Sequence, residues 1–227
     1  MRGGGEGALK LGILGGTFDP VHLGHLRMAL EAAEDLGLDR VDLVPASVPP
    51  HKERRPGASF ADRLAMVRMG TEGVPLLGAC DLEGRREGAS YTILTLEELH
   101  RSHPGDLDLY FVIGTDAFLE IRTWKDYRSL FDLAHFVLID RPGVHSEALE
   151  TFLDSLDVSL EPLGPDVYRV GNGGNRLFRR TGTFLDISST RVRETVRRGR
   201  SIRFLVPPEV ERFIMEKGLY RADGEPG

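Results

Sequence analysis

Cysteine and long apolar runs are nearly absent from this sequence of 227 residues. Its one cysteine, Cys80, excludes an intramolecular disulfide and a metal site built from several thiolates. The apolar stretch before Cys80 predicts a buried, unreactive thiol. No apolar run approaches the roughly 20 residues that span a bilayer, and the Gly-rich N-terminus lacks the apolar core of a signal peptide. The sequence therefore predicts a cytoplasmic protein.

Positively charged residues are fewer than negatively charged ones: 29 Lys and Arg residues against 35 Asp and Glu residues give a net charge of −6. An acidic chain is a poor match for a nucleic acid or a membrane surface, so neither partner is expected. Hydrophobic residues make up 41% and charged residues 28% of the chain, which are the proportions of an ordinary globular protein. A chain of this length buries a core without covalent cross-links.

Short apolar segments alternate with segments of helical periodicity along the chain. The predicted strands are 10–14, 41–45, 76–82, 107–113, 135–139 and 184–187. The predicted helices are 25–36, 59–70, 90–100, 189–198 and 207–218, with Ser59 and Ser90 as the expected caps of two of them. This alternation predicts an α/β protein with a doubly wound parallel sheet and a small helical C-terminal part.

One domain is expected over residues 9–221, between Gly-rich tails 1–8 and 222–227 that are predicted to be disordered. Residues 161–183 are dense in Gly, Asn and Pro and are predicted to form an irregular excursion or a small hairpin. Residues 144–166 show no pattern that predicts an element.

The most informative segment is 15–25, GGTFDPVHLGH, between the first predicted strand and the first predicted helix. In an open parallel sheet, ligands bind at this position. Gly15 and Gly16 let phosphate oxygens approach backbone amides, and the helix start adds a positive dipole end. His22 and His25 are suited to donate hydrogen bonds to non-bridging oxygens and to stabilise the transition state of phosphoryl or nucleotidyl transfer. A helix cap or an exposed face is the structural alternative for each histidine taken alone.

The segment 187–193, ISSTRVR, opens a predicted helix near the C-terminus. Ser188, Ser189 and Thr190 offer hydroxyls and unpaired amides, and Arg193 lies one turn further along. This arrangement suits the β- and γ-phosphates of ATP, although an ordinary N-cap is the alternative.

Together the two segments resemble the nucleotidyltransferase superfamily that carries an HxGH or TxGH element and an ISSTxxR element. The resemblance implies a Rossmann-like sheet and direct transfer of a nucleotidyl group without a covalent enzyme intermediate. Neither a P-loop nor a GxGxxG fingerprint is present.

Five further segments resemble the bacterial nicotinate-nucleotide adenylyltransferase family, and the similarity runs from about residue 10 to 220. They are 48–52 (VPPHK), 90–92 (SYT), 113–116 (IGTD), 123–124 (TW) and 141–143 (RPG). The resemblance implies transfer of AMP from ATP to nicotinate mononucleotide, which gives nicotinate adenine dinucleotide and pyrophosphate, with Mg²⁺ as the cofactor.

The resemblance also implies roles for individual residues. The catalytic group is His22, His25 and Arg193. The ATP-binding group is Gly15, Gly16, Thr17, Gly114, Asp116, Ile187, Ser188, Ser189 and Thr190. The mononucleotide-binding group is Phe18, His51, Lys52, Tyr91, Thr92, Trp124 and Arg141. No side chain is assigned to a metal, and Asp19 either helps to position Mg²⁺ or braces the turn.

Several alternatives stay open at this point. The acceptor could instead be nicotinamide mononucleotide, phosphopantetheine or a sugar phosphate, and a nucleotide-sensing module without catalysis is the alternative from another class. Trp124 could be a core residue, and the segment with His51 and Lys52 a plain solvated turn. The Gly-, Asn- and Arg-rich segment 172–180 could shape a homo-oligomer, cover the site or do neither.

Overall fold

A computed structural model describes residues 8–48, 57–103, 105–140, 146–183 and 185–221. The strands are β1 (Leu9–Gly16), β2 (Arg40–Pro45), β3 (Leu77–Ala79), β4 (Leu107–Gly114), β5 (His135–Asp140), β6 (Leu160–Gly164), β7 (Val167–Val170) and β8 (Arg176–Thr181). The helices are α1 (Leu23–Leu36), α2 (Phe60–Thr71), α3 (Thr92–Ser102), α4 (Thr115–Phe118), α5 (Tyr127–Leu133), α6 (Ser146–Asp154), α7 (Ser189–Arg197) and α8 (Pro208–Glu216). Short 3₁₀ turns span Leu82–Arg85 and Ile121–Thr123.

Within these residues the strands form one sheet in the order β3-β2-β1-β4-β5-β8-β7-β6. The pairs from β3 to β8 are parallel, and β6 and β7 add an antiparallel hairpin at one edge. The chain builds outward from β1 to β3 and then crosses back to β4, so the strand order reverses between β1 and β4. Ligands of open α/β sheets bind at the carboxyl ends of the strands beside such a reversal. The α/β, doubly wound fold predicted from the sequence is confirmed.

The central strands are buried because both faces of the sheet are covered. Side chains of a strand alternate between faces, so Leu11 and Ile13 of β1 enter one apolar cluster and Leu14 enters the other. Helix α1 packs on the second of these clusters through small and unbranched residues, which are Met28, Ala29, Ala32 and Ala33. These contacts place the start of α1 directly after the end of β1.

The prediction of a final strand over 184–187 is wrong. Residues 185–187 lie outside any strand, residue 184 lies outside the described residues, and the last parallel strand is β8. The basic character of β8 concealed it, because three arginines among six residues are unexpected in a strand that lies inside a sheet. Arg179 is nevertheless only 10% exposed in its side chain, and the carboxylates of Asp140, Glu150 and Asp166 lie 3.7, 3.7 and 3.8 Å from its guanidinium. Acidic partners therefore make this strand possible, and the hairpin alternative for 161–183 is confirmed by β6 and β7.

Two smaller predictions, the cap of α3 and the length of β3, are wrong, whereas the predicted cap of α2 is confirmed. Ser59 caps α2 as predicted, with its hydroxyl accepting from the Asp62 amide. Ser90 does not cap α3, because Tyr91 is the N-cap and the Ser90 hydroxyl accepts from the Val48 amide instead. Strand β3 is shorter than predicted, since a 3₁₀ turn takes over at Leu82.

Cys80 is half-buried, and burial raises the pKa of its thiol, which agrees with the predicted lack of reactivity. None of the helices in the described ranges is both long and apolar enough to cross a membrane. Of the two predicted tails, residues 1–7 and 222–227 lie outside the described residues.

His135 begins β5 at the amino-terminal edge of the sheet, away from the ligand side. Its Nδ1 accepts from the Arg176 amide at 2.8 Å, so the neutral ring carries its proton on Nε2, which lies 2.7 Å from Asp108 Oδ1. Burial lowers the pKa of His135, and this effect outweighs the opposite effect of Asp108.

A lowered pKa in the folded state makes the free energy of unfolding depend on pH. The unfolded chain takes up the His135 proton first, so stability falls as the pH drops below about 6.5, the ordinary histidine pKa. We expect the denaturant midpoint to fall less between about pH 7.5 and about pH 5.5 in His135→Asn than in the wild type. The comparison variant is His103→Asn, which leaves the contacts of His135 with Asp108 and the Arg176 amide in place. An undiminished pH dependence in His135→Asn would contradict this assignment.

Candidate active site

A cavity of about 330 Å³ opens at the carboxyl ends of β1, β2 and β4. It is lined by residues that are far apart in sequence but were all predicted to bind substrate: Gly15, Gly16, Thr17, Tyr91, Thr92 and Trp124. The other lining residues were not predicted: Val44, Ala46, Glu83, Ser90, Phe111, Ala117 and Lys125. The cavity therefore joins the turn after β1 to the start of α3.

Gly15 and Gly16, predicted to form a turn, are instead the last two residues of β1, and they differ in what they make possible. A Cβ atom on Gly15 would meet Phe111 at 3.8 Å, an ordinary contact, so the fold leaves room there for a side chain. A Cβ atom on Gly16 would approach the Phe18 ring to 3.0 Å. Gly16 is therefore constrained by packing, whereas Gly15 keeps the wall of the cavity open toward a ligand.

His22 and His25 form a stacked pair at the start of α1. Their ring centroids lie 3.6 Å apart with an interplanar angle of 22°. His22 is 3% exposed and is the N-cap of α1, while its own amide donates to His25 Nδ1 at 3.3 Å. Because Nδ1 of His25 accepts, the neutral ring carries its proton on Nε2, where it is suited to donate to an anion. His22 therefore occupies the helix-cap position that was considered as its structural alternative.

Gly24 fixes the position of this pair. A Cβ atom at Gly24 would lie 3.1 Å from Nδ1 and 3.2 Å from Cε1 of His22. The His22 ring is buried and has little room to give way. A glycine is therefore required between the two histidines by their own packing.

Phe18, which was predicted to bind the mononucleotide, has a buried side chain beside the histidine pair. Its side chain is 1% exposed, belongs to an apolar cluster and meets the His25 ring edge-on at a centroid distance of 4.9 Å. Its backbone has a φ of 49°, in the left-handed region that a bulky residue rarely adopts. The Phe18 ring supports the turn from beneath, so only its backbone remains available to a ligand.

The second motif packs directly on the first. The Ser189 hydroxyl donates to the Pro20 carbonyl at 2.8 Å, and Arg193 Nη1 donates to the Asp19 carbonyl at 2.7 Å. Ser188 is the N-cap of α7 and accepts from the Arg191 amide, which is the N-cap alternative considered for this segment. The two segments, more than 160 residues apart, therefore form one structural unit.

Asp19 braces this unit, which is one of the two alternatives left open for it. The residue is 3% exposed. Its Oδ1 accepts from the Ala58 amide at 3.0 Å and the Tyr220 hydroxyl at 2.8 Å, and its Oδ2 accepts from the Gly57 amide at 2.8 Å. A carboxylate whose oxygens are already engaged by protein donors is poorly placed to bind a metal ion.

Arg63 was not predicted and lies behind the turn. It is 1% exposed, and its Nη1 donates to the Thr17 carbonyl at 2.7 Å and its Nη2 to the Ser47 carbonyl at 3.4 Å. Burial lowers the pKa of Arg63, and the nearby carboxylates of Asp19 and Glu83 oppose that effect. The signal in the sequence was an arginine among the apolar positions of α2, on the buried face of the helix.

A second, smaller cavity of about 20 Å³ lies beside His22 at the ends of β5 and α1. Ile187 and His22, which were both predicted to belong to the site, line it together with Asp140 and Thr183, which were not predicted. Asp140 Oδ1 accepts from the hydroxyl of Thr115, which follows Gly114 at the end of β4. Asp116 is exposed in the next position of α4.

Comparison with known proteins agrees with this geometry. Residues 13–195 match the model of the cytidylyltransferase-like family. A protein of Desulfatibacillum aliphaticivorans named probable nicotinate-nucleotide adenylyltransferase is 47% identical over 218 residues, which cover 93% of this chain and 100% of the relative. One of the same name from Geobacter sulfurreducens is 41% identical over 217 residues, covering 95% and 100%. The chain belongs to the nicotinate-nucleotide adenylyltransferase family.

A solved structure whose sequence is much less similar to this chain has the same fold. A Plasmodium falciparum nicotinic acid mononucleotide adenylyltransferase, solved in complex with NaAD, superposes with a TM-score of 0.70 at 18% identity. The superposition covers 92% of this chain and 96% of that one. The doubly wound sheet of this family is therefore shared by chains with few residues in common.

Of the residues that the family resemblance implied, most lie around the two cavities or in the two joined motifs. His51, Lys52 and Arg141 lie outside the described residues. Among the residues that the structure describes, no three His, Cys, Asp or Glu side chains are grouped so that they could hold a metal ion.

The position of Gly24 leads to a test of the histidine pair. We expect Gly24→Ala to displace the His22 ring and to lower kcat by about 10- to 100-fold, because small misplacements of catalytic groups have effects of that size. The free energy of unfolding should stay near that of the wild type, because Ala in a helix is more favourable than Gly by about 1 kcal/mol. Gly70→Ala on α2 is the control, because its Cβ would make ordinary contacts of 3.4 Å or more. Turnover of Gly24→Ala at the wild-type rate would show that the pair tolerates displacement.

Proposed function

We propose that this chain transfers the adenylyl group of Mg·ATP to the phosphate of nicotinate mononucleotide, releasing pyrophosphate and forming nicotinate adenine dinucleotide. The observation that carries the proposal is the 330 Å³ cavity, which is bounded by Gly15 and Gly16 at one end and by the start of α3 and Trp124 at the other. The name shared by relatives of up to 47% identity supports the same reaction.

The ring end of the cavity favours an aromatic acid. Trp124 is half-buried, with its ring 6.0 Å from that of Phe111, and offers a face for the pyridine. The N-cap of α3, Tyr91, provides no side-chain hydrogen bond, and the first turn contains no acidic residue, so the helix start is suited to a carboxylate. Lys125 Nζ lies 5.0 Å from the Tyr91 ring centre and adds positive charge.

Glu83 is the acidic side chain that lines this cavity. It is 8% exposed, and its Oε1 accepts from the Thr95 hydroxyl at 2.7 Å. Its charge is partly balanced by the buried guanidinium of Arg63, with which it interacts electrostatically. The hydrogen bond from Thr95 directs Oε1 toward α3, and the charge of Arg63 reduces the repulsion of a nicotinate carboxylate.

The phosphate end supports in-line attack of the mononucleotide phosphate on the α-phosphorus of ATP. A phosphate monoester is already an anion at neutral pH, so the reaction requires positioning and charge stabilisation more than a strong base. Amides of Gly15 and Gly16 hold phosphate oxygens, and His22 and His25 donate to the oxygens that gain charge. Arg193 and the start of α7 meet the leaving pyrophosphate, and no covalent enzyme intermediate forms.

Mg²⁺ belongs to the ATP substrate in this proposal. Magnesium in nucleotide sites is commonly held by substrate phosphates and water with few protein ligands. Asp19 already accepts hydrogen bonds from the Gly57 and Ala58 amides, so the proposal assigns the ion to the phosphates of ATP and to water.

The reaction is tested by pyrophosphate release from Mg·ATP with nicotinate mononucleotide and, in parallel, with nicotinamide mononucleotide. Rapid release with the acid and slow release with the amide is the expected result. Equal release with both would retain adenylyl transfer and overturn the choice of a carboxylate. No release with either would favour another phosphate acceptor or a nucleotide-sensing module.

The histidine pair is tested by substitutions that separate catalysis from helix capping. We expect His25→Ala and His22→Asn each to lower kcat by about 10²- to 10³-fold, the effect of removing one oxyanion donor. Asn at position 22 still caps a helix, so the melting temperature of His22→Asn should stay near that of the wild type. His103→Ala, at a half-buried histidine after the last turn of α3, is the control. Wild-type turnover in both site variants would remove the histidines from the mechanism.

A further inference from the structure

The side chain of Tyr220, near the C-terminus, belongs to the turn between β1 and α1. It is 7% exposed, and its hydroxyl donates to Asp19 Oδ1 at 2.8 Å across 201 positions of sequence. Its ring also packs against Gly57, where a Cβ atom would lie 3.2 Å away. The backbone of Tyr220 has a φ of 64°, so the chain holds this residue in a strained conformation to place it here.

The donors around Asp19 decide where Arg193 lies. With Gly57, Ala58 and Tyr220 engaging the carboxylate, Arg193 Nη1 donates to the Asp19 carbonyl at 2.7 Å and stays 3.7 Å from Oδ2. The guanidinium is thus held beside the carboxylate without forming a close ion pair with it. Nη1 of Arg193 is thus anchored. Its Nη2 lies along α7 and donates to the Thr190 hydroxyl at 3.2 Å.

We infer that the Tyr220 hydroxyl is a positioning group for Arg193, which acts by satisfying Asp19. The inference rests on the role proposed above for Arg193 at the leaving pyrophosphate. Without the hydroxyl, Oδ1 of a buried carboxylate loses one of its two donors. The nearest cation is then drawn into a direct ion pair and withdrawn from the pyrophosphate.

Burial and the Asp19 charge raise the pKa of Tyr220, so the hydroxyl remains protonated and able to donate at physiological pH. The C-terminal helix keeps the ring in place independently of the hydroxyl, since Lys217 Nζ of the same segment pairs with Asp62 Oδ1 of α2 at 2.9 Å. A Phe at position 220 should therefore fold and occupy the same space.

The test compares Tyr220→Phe with Tyr110→Phe. Tyr110 is also 7% exposed and also donates to a carboxylate, Asp108 Oδ2, at 2.8 Å, but it lies near the amino-terminal edge of the sheet. Each substitution removes one Tyr–Asp hydrogen bond, and Tyr220→Phe should lower the melting temperature more, because the Asp19 side chain is more buried than that of Asp108. We expect kcat to fall about tenfold in Tyr220→Phe only, with the KM for nicotinate mononucleotide within about twofold of the wild type.

An Arg193→Ala background separates positioning from general destabilisation. If Tyr220 acts through Arg193, Tyr220→Phe causes no further loss of kcat once the arginine is gone. The same proportional loss in both backgrounds, or a Tyr220→Phe enzyme as fast as Tyr110→Phe, would overturn the inference. Wild-type turnover in Arg193→Ala itself would remove the proposed role of the arginine and this inference with it, while release of pyrophosphate would still establish the reaction.

Discussion

The buried carboxylate of Asp19 is the constraint on which the geometry of the site depends. A charged group at 3% exposure is tolerated only when donors satisfy it, and here they come from segments that sequence separates widely. The amides of Gly57 and Ala58, the Tyr220 hydroxyl and the Arg193 guanidinium all converge on this residue. Satisfying one buried charge thereby aligns the first motif, the second motif and the C-terminal segment.

The site concentrates positive potential within an acidic protein. The chain has a net charge of −6, yet a buried guanidinium from Arg63 lies behind the turn after β1, and the starts of α1, α3 and α7 all point their positive dipole ends toward the ligand side. Such an arrangement attracts a triphosphate locally without a broad basic surface. The parallel sheet makes it possible, because every crossover helix that follows a parallel strand starts at the same edge.

The sequence was sufficient for features whose cause is local. The positions of His22 and His25 at the start of α1 and of most apolar strands are set by neighbouring residues and agree with the prediction, whereas Gly15 and Gly16 end β1 instead of forming a turn. Features that depend on partners distant in sequence were missed. Strand β8 was not predicted, because its Arg179 is neutralised by Asp140 from another strand. The burial of Arg63 was not predicted, because it depends on carbonyls that other segments supply. No local pattern indicates either pairing. The positioning of the site by buried charges is therefore the feature that could not be predicted from the sequence.

The most direct test of the central claim is a crystal structure of the protein with a non-hydrolysable ATP analogue and nicotinate mononucleotide. We expect the pyridine ring against Trp124, its carboxylate at the start of α3, and the triphosphate between the Gly15–Gly16 end of β1 and Arg193. Density for the pyridine ring outside the cavity, or for a triphosphate that does not touch both motifs, would contradict the account.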